Sequence, residues 1–271
     1  MFNYLRYELH KTLKSKTFWI LLIVAFALRF SDYILAIING SVYPIMSYYS
    51  GRSNPIEYVM PIIGVMLATK DFSSGFIKNI YKQIKPYIFV LSKFITLVAY
   101  VLIIMLIDFI LLLFLNLGFG VEENLICNKD FPFSIWFLLT ICFYFVTSGS
   151  IGMAIGFLVK KPPIAISIVL IWILVYELVY PIIGELVMLI DPNILMRPGD
   201  SLALVYNIRY YLHFGDYMSC SNVIMHYIRG LIRPENVPYW IKSAVLFYVK
   251  ESIFIVISYL ISWLSLKFRK V

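Results

Sequence analysis

An all-α, polytopic membrane fold is predicted for this chain on three observations. Of its 271 residues, 61% are hydrophobic and only 14% are charged, with a mean hydropathy of +0.85. A water-soluble globule does not carry that balance. The apolar residues come in long continuous runs and not in short alternating ones, which favours helices over strands. Only helices and closed barrels satisfy their backbone hydrogen bonds in lipid, and a hydrocarbon core of about 30 Å takes roughly 20 apolar residues per helix. Finally, lysine and arginine gather at alternate flanks of these runs. Six transmembrane helices are expected, at about Phe18 to Ile38, Ile56 to Thr69, Tyr87 to Leu117, Phe133 to Val159, Ile164 to Leu189 and Ala244 to Leu266. Together they form a single transmembrane domain over 1–271.

The elements follow in order. Over residues 1–17, Leu5, Leu9 and Leu13 recur every four residues with Phe2 alongside, while Arg6, Lys11 and Lys14 fall elsewhere around the helix. This predicts an interfacial helix along the inner leaflet. The first span is of full length and no small-residue cleavage pattern follows it, so it is expected to stay as an anchor. Arg29 and Asp32 share a face of that span and compensate one another. The second run is short and contains Pro61, which predicts either extension past Glu57 or a kink. The segment from Lys70 to Lys93 then sets five lysines against one carboxylate, Asp71. Within it, Phe76, Ile77, Ile80, Tyr81 and Ile84 fall on one side of a helix, and Lys78, Asn79, Lys82 and Gln83 on the other. Ser73 or Ser74 can cap that helix and Pro86 ends it. A short amphipathic helix between two spans either lies on the lipid surface or docks into a partner protein. In the fourth span, Ser148, Gly152 and Gly156 form a small-residue ridge, with Gly149 beside it, for close approach of a neighbouring helix. In the fifth, Pro181 and Gly184 follow Glu177 and loosen the helix near Glu185. A long loop over 191–242, rich in proline and aromatic residues, precedes the last span.

Charge sets the orientation. With the N-terminus inside, the inner segments hold Arg6, Lys11, Lys14, Lys16, the loop lysines, Lys160, Lys161, Lys267, Arg269 and Lys270 against only Glu8 and Asp71. The outer segment from Val121 to Phe131 carries Glu122, Glu123 and Asp130 against Lys129 alone. Both termini are therefore expected in the cytoplasm and the chain in the cell membrane. The net charge of +8 is a topology signal. No basic face is left over for nucleic acid.

Reactive constellations are scarce. Cys142 falls within a span, whereas Cys127 and Cys220 fall on outer loops, where pairing is open. His10, His213 and His226 are scattered, and no metal-ligand spacing exists. Asp108 and Glu177 lie on the third and fifth spans without a partner at helical spacing. Each either lines a substrate or proton path or makes an interhelical hydrogen bond that holds the bundle. No nucleophile elbow and no Walker A loop occurs, so any ATP must be bound by another polypeptide.

Two stretches carry a resemblance. The run Tyr7-Glu8-Leu9-His10-Lys11-Thr12-Leu13-Lys14-Ser15-Lys16-Thr17-Phe18-Trp19 is similar to the elbow helix that precedes the first span in ABC-2 type permeases, the membrane subunits of ATP-binding-cassette exporters. The stretch Asp71-Phe72-Ser73-Ser74-Gly75-Phe76-Ile77-Lys78-Asn79, continuing to Leu91-Ser92-Lys93, looks like the cytoplasmic loop that couples such permeases to their ATPase. Lys85-Pro86-Tyr87 departs from the usual order of proline and basic residue after the coupling helix.

The resemblance implies that Asp71, Ser74, Gly75, Phe76, Ile77, Lys78, Asn79, Ile80 and Tyr81 couple the chain to a cytoplasmic ABC ATPase, with 70–86 as the coupling loop. A second permease subunit, identical or related, would complete the path. The chain would bind no cofactor itself, and ATP and Mg would sit in the partner. It would be a transport subunit and not an enzyme, exporting a hydrophobic or amphipathic substrate such as a bacteriocin or toxin peptide. A non-transporting immunity or assembly factor, binding its target through the outer loop, is the alternative from another class.

Overall fold

The computed structural model describes residues 2–38, 55–73, 84–118, 131–175 and 237–268, with single positions at 182, 185, 186 and 189. Among the described residues all regular structure is helical, in seven helices: α1 (Phe2–Leu13), α2 (Lys16–Ile38), α3 (Pro55–Ser73), α4 (Pro86–Gly118), α5 (Phe131–Val159), α6 (Pro162–Leu174) and α7 (Val237–Lys267). Three segments are long and apolar enough to cross a bilayer: Pro86–Leu111, Leu139–Val159 and Val245–Lys267. Among the described residues, the first part of α2, Lys16–Ala27, and α6, Pro162–Leu174, are further apolar helical segments.

Local chemistry explains the boundaries. α1 and α2 are separated by a turn at Lys14 and Ser15, whose carbonyl accepts from the Phe18 and Trp19 amides at 3.2 and 3.4 Å and so opens α2. The Trp19 indole Nε1 donates to the Leu13 carbonyl at 2.6 Å, which satisfies an orphan acceptor at the end of α1. α3 reaches back to Pro55, past Glu57, so the second run gains its length by extension, with Pro61 inside the helix. Pro86 opens α4, where its missing amide costs nothing. The carbonyl of Lys85 there accepts from the Ile88 and Phe89 amides. Lys93 thus lies two turns inside α4, within the expected third span. Between α5 and α6, Lys160 takes φ 62° and its amide donates to the Gly156 carbonyl at 2.8 Å. This is a left-handed helix cap at a position that usually holds glycine. Lys161 is extended ahead of Pro162, as a residue before proline must be. The last helix begins at Val237, so 237–242 are helical and not part of the preceding loop.

The helices form a bundle around α3 and α5, which pack along each other and contact most of the rest. α5 is largely enclosed, and α7 is mostly exposed along its apolar length. Small residues permit the central contact. A Cβ on Gly64 would strike the Gly149 carbonyl, and one on Gly152 would strike the Pro61 carbonyl. At Gly156 it would lie 2.8 Å from the Ala68 methyl. The expected ridge of Ser148, Gly152 and Gly156 is therefore the seam between α3 and α5, with Gly64 supplying the opposite side. Its exposed surface is aliphatic, including Ile20, Ile23, Leu102, Leu106, Ile171, Ile253 and Val256. That is the covering a hydrocarbon solvent selects.

Contacts fix the relative directions. Phe18 at the start of α2 stacks near Tyr100 in the first half of α4, with ring centroids 4.4 Å apart. Tyr4, Phe72, Ile84, Phe89, Phe157 and Leu266 belong to one apolar cluster. The N-terminal helix, the end of α3, the start of α4, the end of α5 and the end of α7 thus share one end of the bundle, hereafter the basal end.

Candidate functional site

The basal end holds a buried ion network. α1 is amphipathic, but its enclosed stripe is the polar one: Glu8 and Thr12 are buried, while Tyr7, Leu13 and Arg6 are exposed. Tyr4, Glu8 and Thr12 recur at four-residue intervals, so they stack on one face. Tyr4 donates its hydroxyl to Glu8 Oε1 at 3.0 Å, and Thr12 Oγ1 donates to the Glu8 carbonyl at 2.9 Å. The second oxygen, Glu8 Oε2, accepts from Lys93 Nζ at 2.6 Å. Lys93 reaches across from α4 and also pairs with Asp71 Oδ2, while Lys11 donates to Asp71 Oδ1. Glu8 and Lys93 are each 1% exposed and Asp71 is 0% exposed.

Two carboxylates and two ammonium groups therefore neutralise each other inside the protein, and they come from three separate elements. Asp71 sits on the last turn of α3, just before the amphipathic segment at 74–83. Lys93 sits two turns into α4, the helix that follows that segment. Removing one partner of such a group leaves an uncompensated charge, which costs about 3–5 kcal/mol. The arrangement is thus a rigid clasp joining α1 to both flanks of the segment.

Electrostatics agree with the geometry. Burial is the largest influence on Asp71 and pushes its pKa up, but Lys93 and Lys11 together outweigh it and leave the carboxyl below its ordinary range. Burial, followed by the charges of Glu8 and Asp71, raises the Tyr4 hydroxyl, so it stays a donor. Lys70 is lowered by burial first and then by repulsion from Lys11 and Lys93. A cleft opens beside the clasp, lined by Glu8, Thr12, Ser15, Lys70 and Lys93 on its polar side and by Phe18, Ile63, Met66 and Leu67 on its apolar side.

A second polar layer lies toward the other end. About 22 Å of helix separates Lys93 from Asp108 on α4, and about 21 Å separates Asp71 from Glu57 on α3. Tyr144 of α5 donates to Glu57 Oε1, and Thr140 and Tyr248 join α5 to α7 through their hydroxyls. Asp108 is 2% exposed. Glu251 is buried on α7, with Lys250 Nζ 3.5 Å away. Among the described residues no group of three or more His, Cys, Asp or Glu side chains could hold a metal.

Of the residues expected to couple to a partner, Asp71 is described and is buried within the clasp. Ser74, Gly75, Phe76, Ile77, Lys78, Asn79, Ile80 and Tyr81 lie outside the described residues, as do Glu177, Cys127, Cys220 and the side chains of Arg29 and Asp32. Asp108 lies about 22 Å along α4 from Lys93 and belongs to the other layer. Sequence reasoning named Glu8 and Lys93 only in the charge balance and the resembling stretches and Glu57 only as a helix boundary, and it passed over Glu251. A signal for the first pair was present: Tyr4, Glu8 and Thr12 make a polar stripe at helical spacing, and Lys93 is a lone cation within the apolar run from Tyr87 to Leu117. No protein-family model and no curated protein sequence matches the chain.

Proposed function

We propose that this chain is the membrane-spanning permease subunit of an ATP-driven exporter, with six spans and both termini in the cytoplasm. The supporting observation is the clasp of Glu8, Asp71, Lys93 and Lys11 at the base of the 74–83 segment. A segment that receives force from a separate motor needs a stiff mount, because a loose one dissipates the displacement before the spans move. Buried ionic bonds to α1, α3 and α4 supply such a mount. The basal end then faces the cytoplasm, which agrees with its lysines.

In this reading Phe76, Ile77, Ile80 and Tyr81 seat in a cleft of a cytoplasmic ATPase, and Lys78 and Lys82 contact its rim. ATP and Mg are bound by that partner. A second permease subunit closes the path, and Asp108 and Glu177 line it. The cargo is amphipathic or hydrophobic, with a peptide of the bacteriocin or toxin kind as the leading class. The experiment is co-purification with a co-expressed ABC ATPase, sought in the reading frames next to this chain's own. The unmodified chain retains it, while Phe76→Asp combined with Ile77→Asp loses it and still reaches the membrane. Equal recovery by both, or recovery by neither, contradicts the reading.

A further inference from the structure

Each of four helices carries an exposed cation at the basal end, next to the beginning of its exposed apolar surface. On α2, Lys16 precedes Trp19 and Ile20, which are 40% and 58% exposed. Lys85 precedes Tyr87 of α4, Lys161 precedes Ile164 of α6, and Lys267 follows Leu264 of α7. On α2, α6 and α7 the spacing is three or four residues, so cation and apolar surface are vertical neighbours, while at α4 Lys85 stands at the helix start ahead of Tyr87. Aromatic rings complete the boundary: Lys267 Nζ stands 5.0 Å from the Trp263 ring, and the Trp19 indole is anchored to the Leu13 carbonyl. Tryptophan and tyrosine favour this position between hydrocarbon and headgroups.

Among the described residues of this end, no acid lies on the surface. Among the described residues there, the carboxylates are those of Glu8 and Asp71, and both are enclosed by the clasp. The exposed charge is therefore of one sign, adding Arg6 and Lys14 to the four helix-end lysines.

We infer that this collar binds anionic phospholipid headgroups, with the acyl chains lying along the aliphatic stripes above. Charge complementarity selects an anionic over a zwitterionic headgroup, and continuity with the apolar stripes selects a lipid over a soluble acidic protein. The inference rests on membrane insertion and not on coupling to an ATPase, so failure of the co-purification experiment leaves it standing.

The test is native mass spectrometry of the full chain, released from mild detergent after equilibration with equimolar phosphatidylglycerol and phosphatidylcholine. Phosphatidylglycerol should be retained preferentially. Each of Lys16→Gln, Lys85→Gln, Lys161→Gln and Lys267→Gln, made singly so that topology is kept, should lower that preference by roughly fivefold at its own site, and the matching Arg variants should preserve it. Equal retention of the two lipids by the unmodified chain overturns the inference, as does a preference that none of the Gln variants changes. A loss of ATPase binding in those variants, with lipid retention unaltered, would instead make the collar a protein-docking surface and also overturns it.

Discussion

At Lys93 a single ammonium group serves two carboxylates from different helices, and this residue carries more structural consequence than any other described charge. Lys93→Met leaves Glu8 and Asp71 facing Lys11 alone in a buried site, and should lower stability by about 3–5 kcal/mol. Thermal unfolding in detergent, followed by circular dichroism, measures this. A surface control such as Lys161→Met should fall within about 0.5 kcal/mol of the parent. Asp71 gives a pH prediction. Its folded pKa lies below the value in the unfolded chain, so its contribution is present above the ordinary aspartate range and is lost as pH falls through the folded value. Stability should hold on acidification until roughly pH 4 and then decline. Asp71→Asn should lower the plateau and flatten that decline, as read from unfolding midpoints across pH.

At the scale of elements, the seam between α3 and α5 makes a graded prediction. A methyl on Gly152 meets the Pro61 carbonyl, which is backbone and cannot move aside cheaply. A methyl on Gly149 meets Leu97 Cδ1 at 2.6 Å, the end of a flexible side chain. Gly152→Ala should therefore destabilise by about 1–3 kcal/mol, and Gly149→Ala by clearly less. Denaturation midpoints of the two variants decide the order. This seam was legible in the sequence, because small residues four apart have few other uses in an apolar helix. The interior side of α1 was not. Leucines at four-residue spacing point to a lipid-facing stripe, but the polar stripe beside them is the one that docks, because the base of α4 offers Lys93. That pairing spans 85 residues, and no local pattern encodes it. α3 runs on to Ser73, past the expected span end at Thr69, while the break between α5 and α6 falls between Val159 and Ile164 as expected.

At the scale of the whole molecule, composition and run length carried the class: an all-helical bundle with three helices long and apolar enough to span a membrane. Of the other expected spans, α3 is charged near its ends by Glu57, Lys70 and Asp71. The two polar layers, one clasped at the base and one about 20 Å away on the same helices, divide the bundle into a mount and an interior. If Asp108 belongs to the transport path, Asp108→Asn should slow export at least severalfold while leaving ATPase recovery unchanged. Wild-type export in that variant would assign it to packing.

The most direct test of an externally driven permease is ATP-dependent uptake of a fluorescent amphipathic peptide into inside-out membrane vesicles that carry this chain and the ATPase recovered with it. Uptake should require ATP, fall to background in the Phe76→Asp, Ile77→Asp chain, and persist in vesicles whose chain is unmodified. Uptake that continues in the modified chain, or none with the unmodified one, would contradict the account.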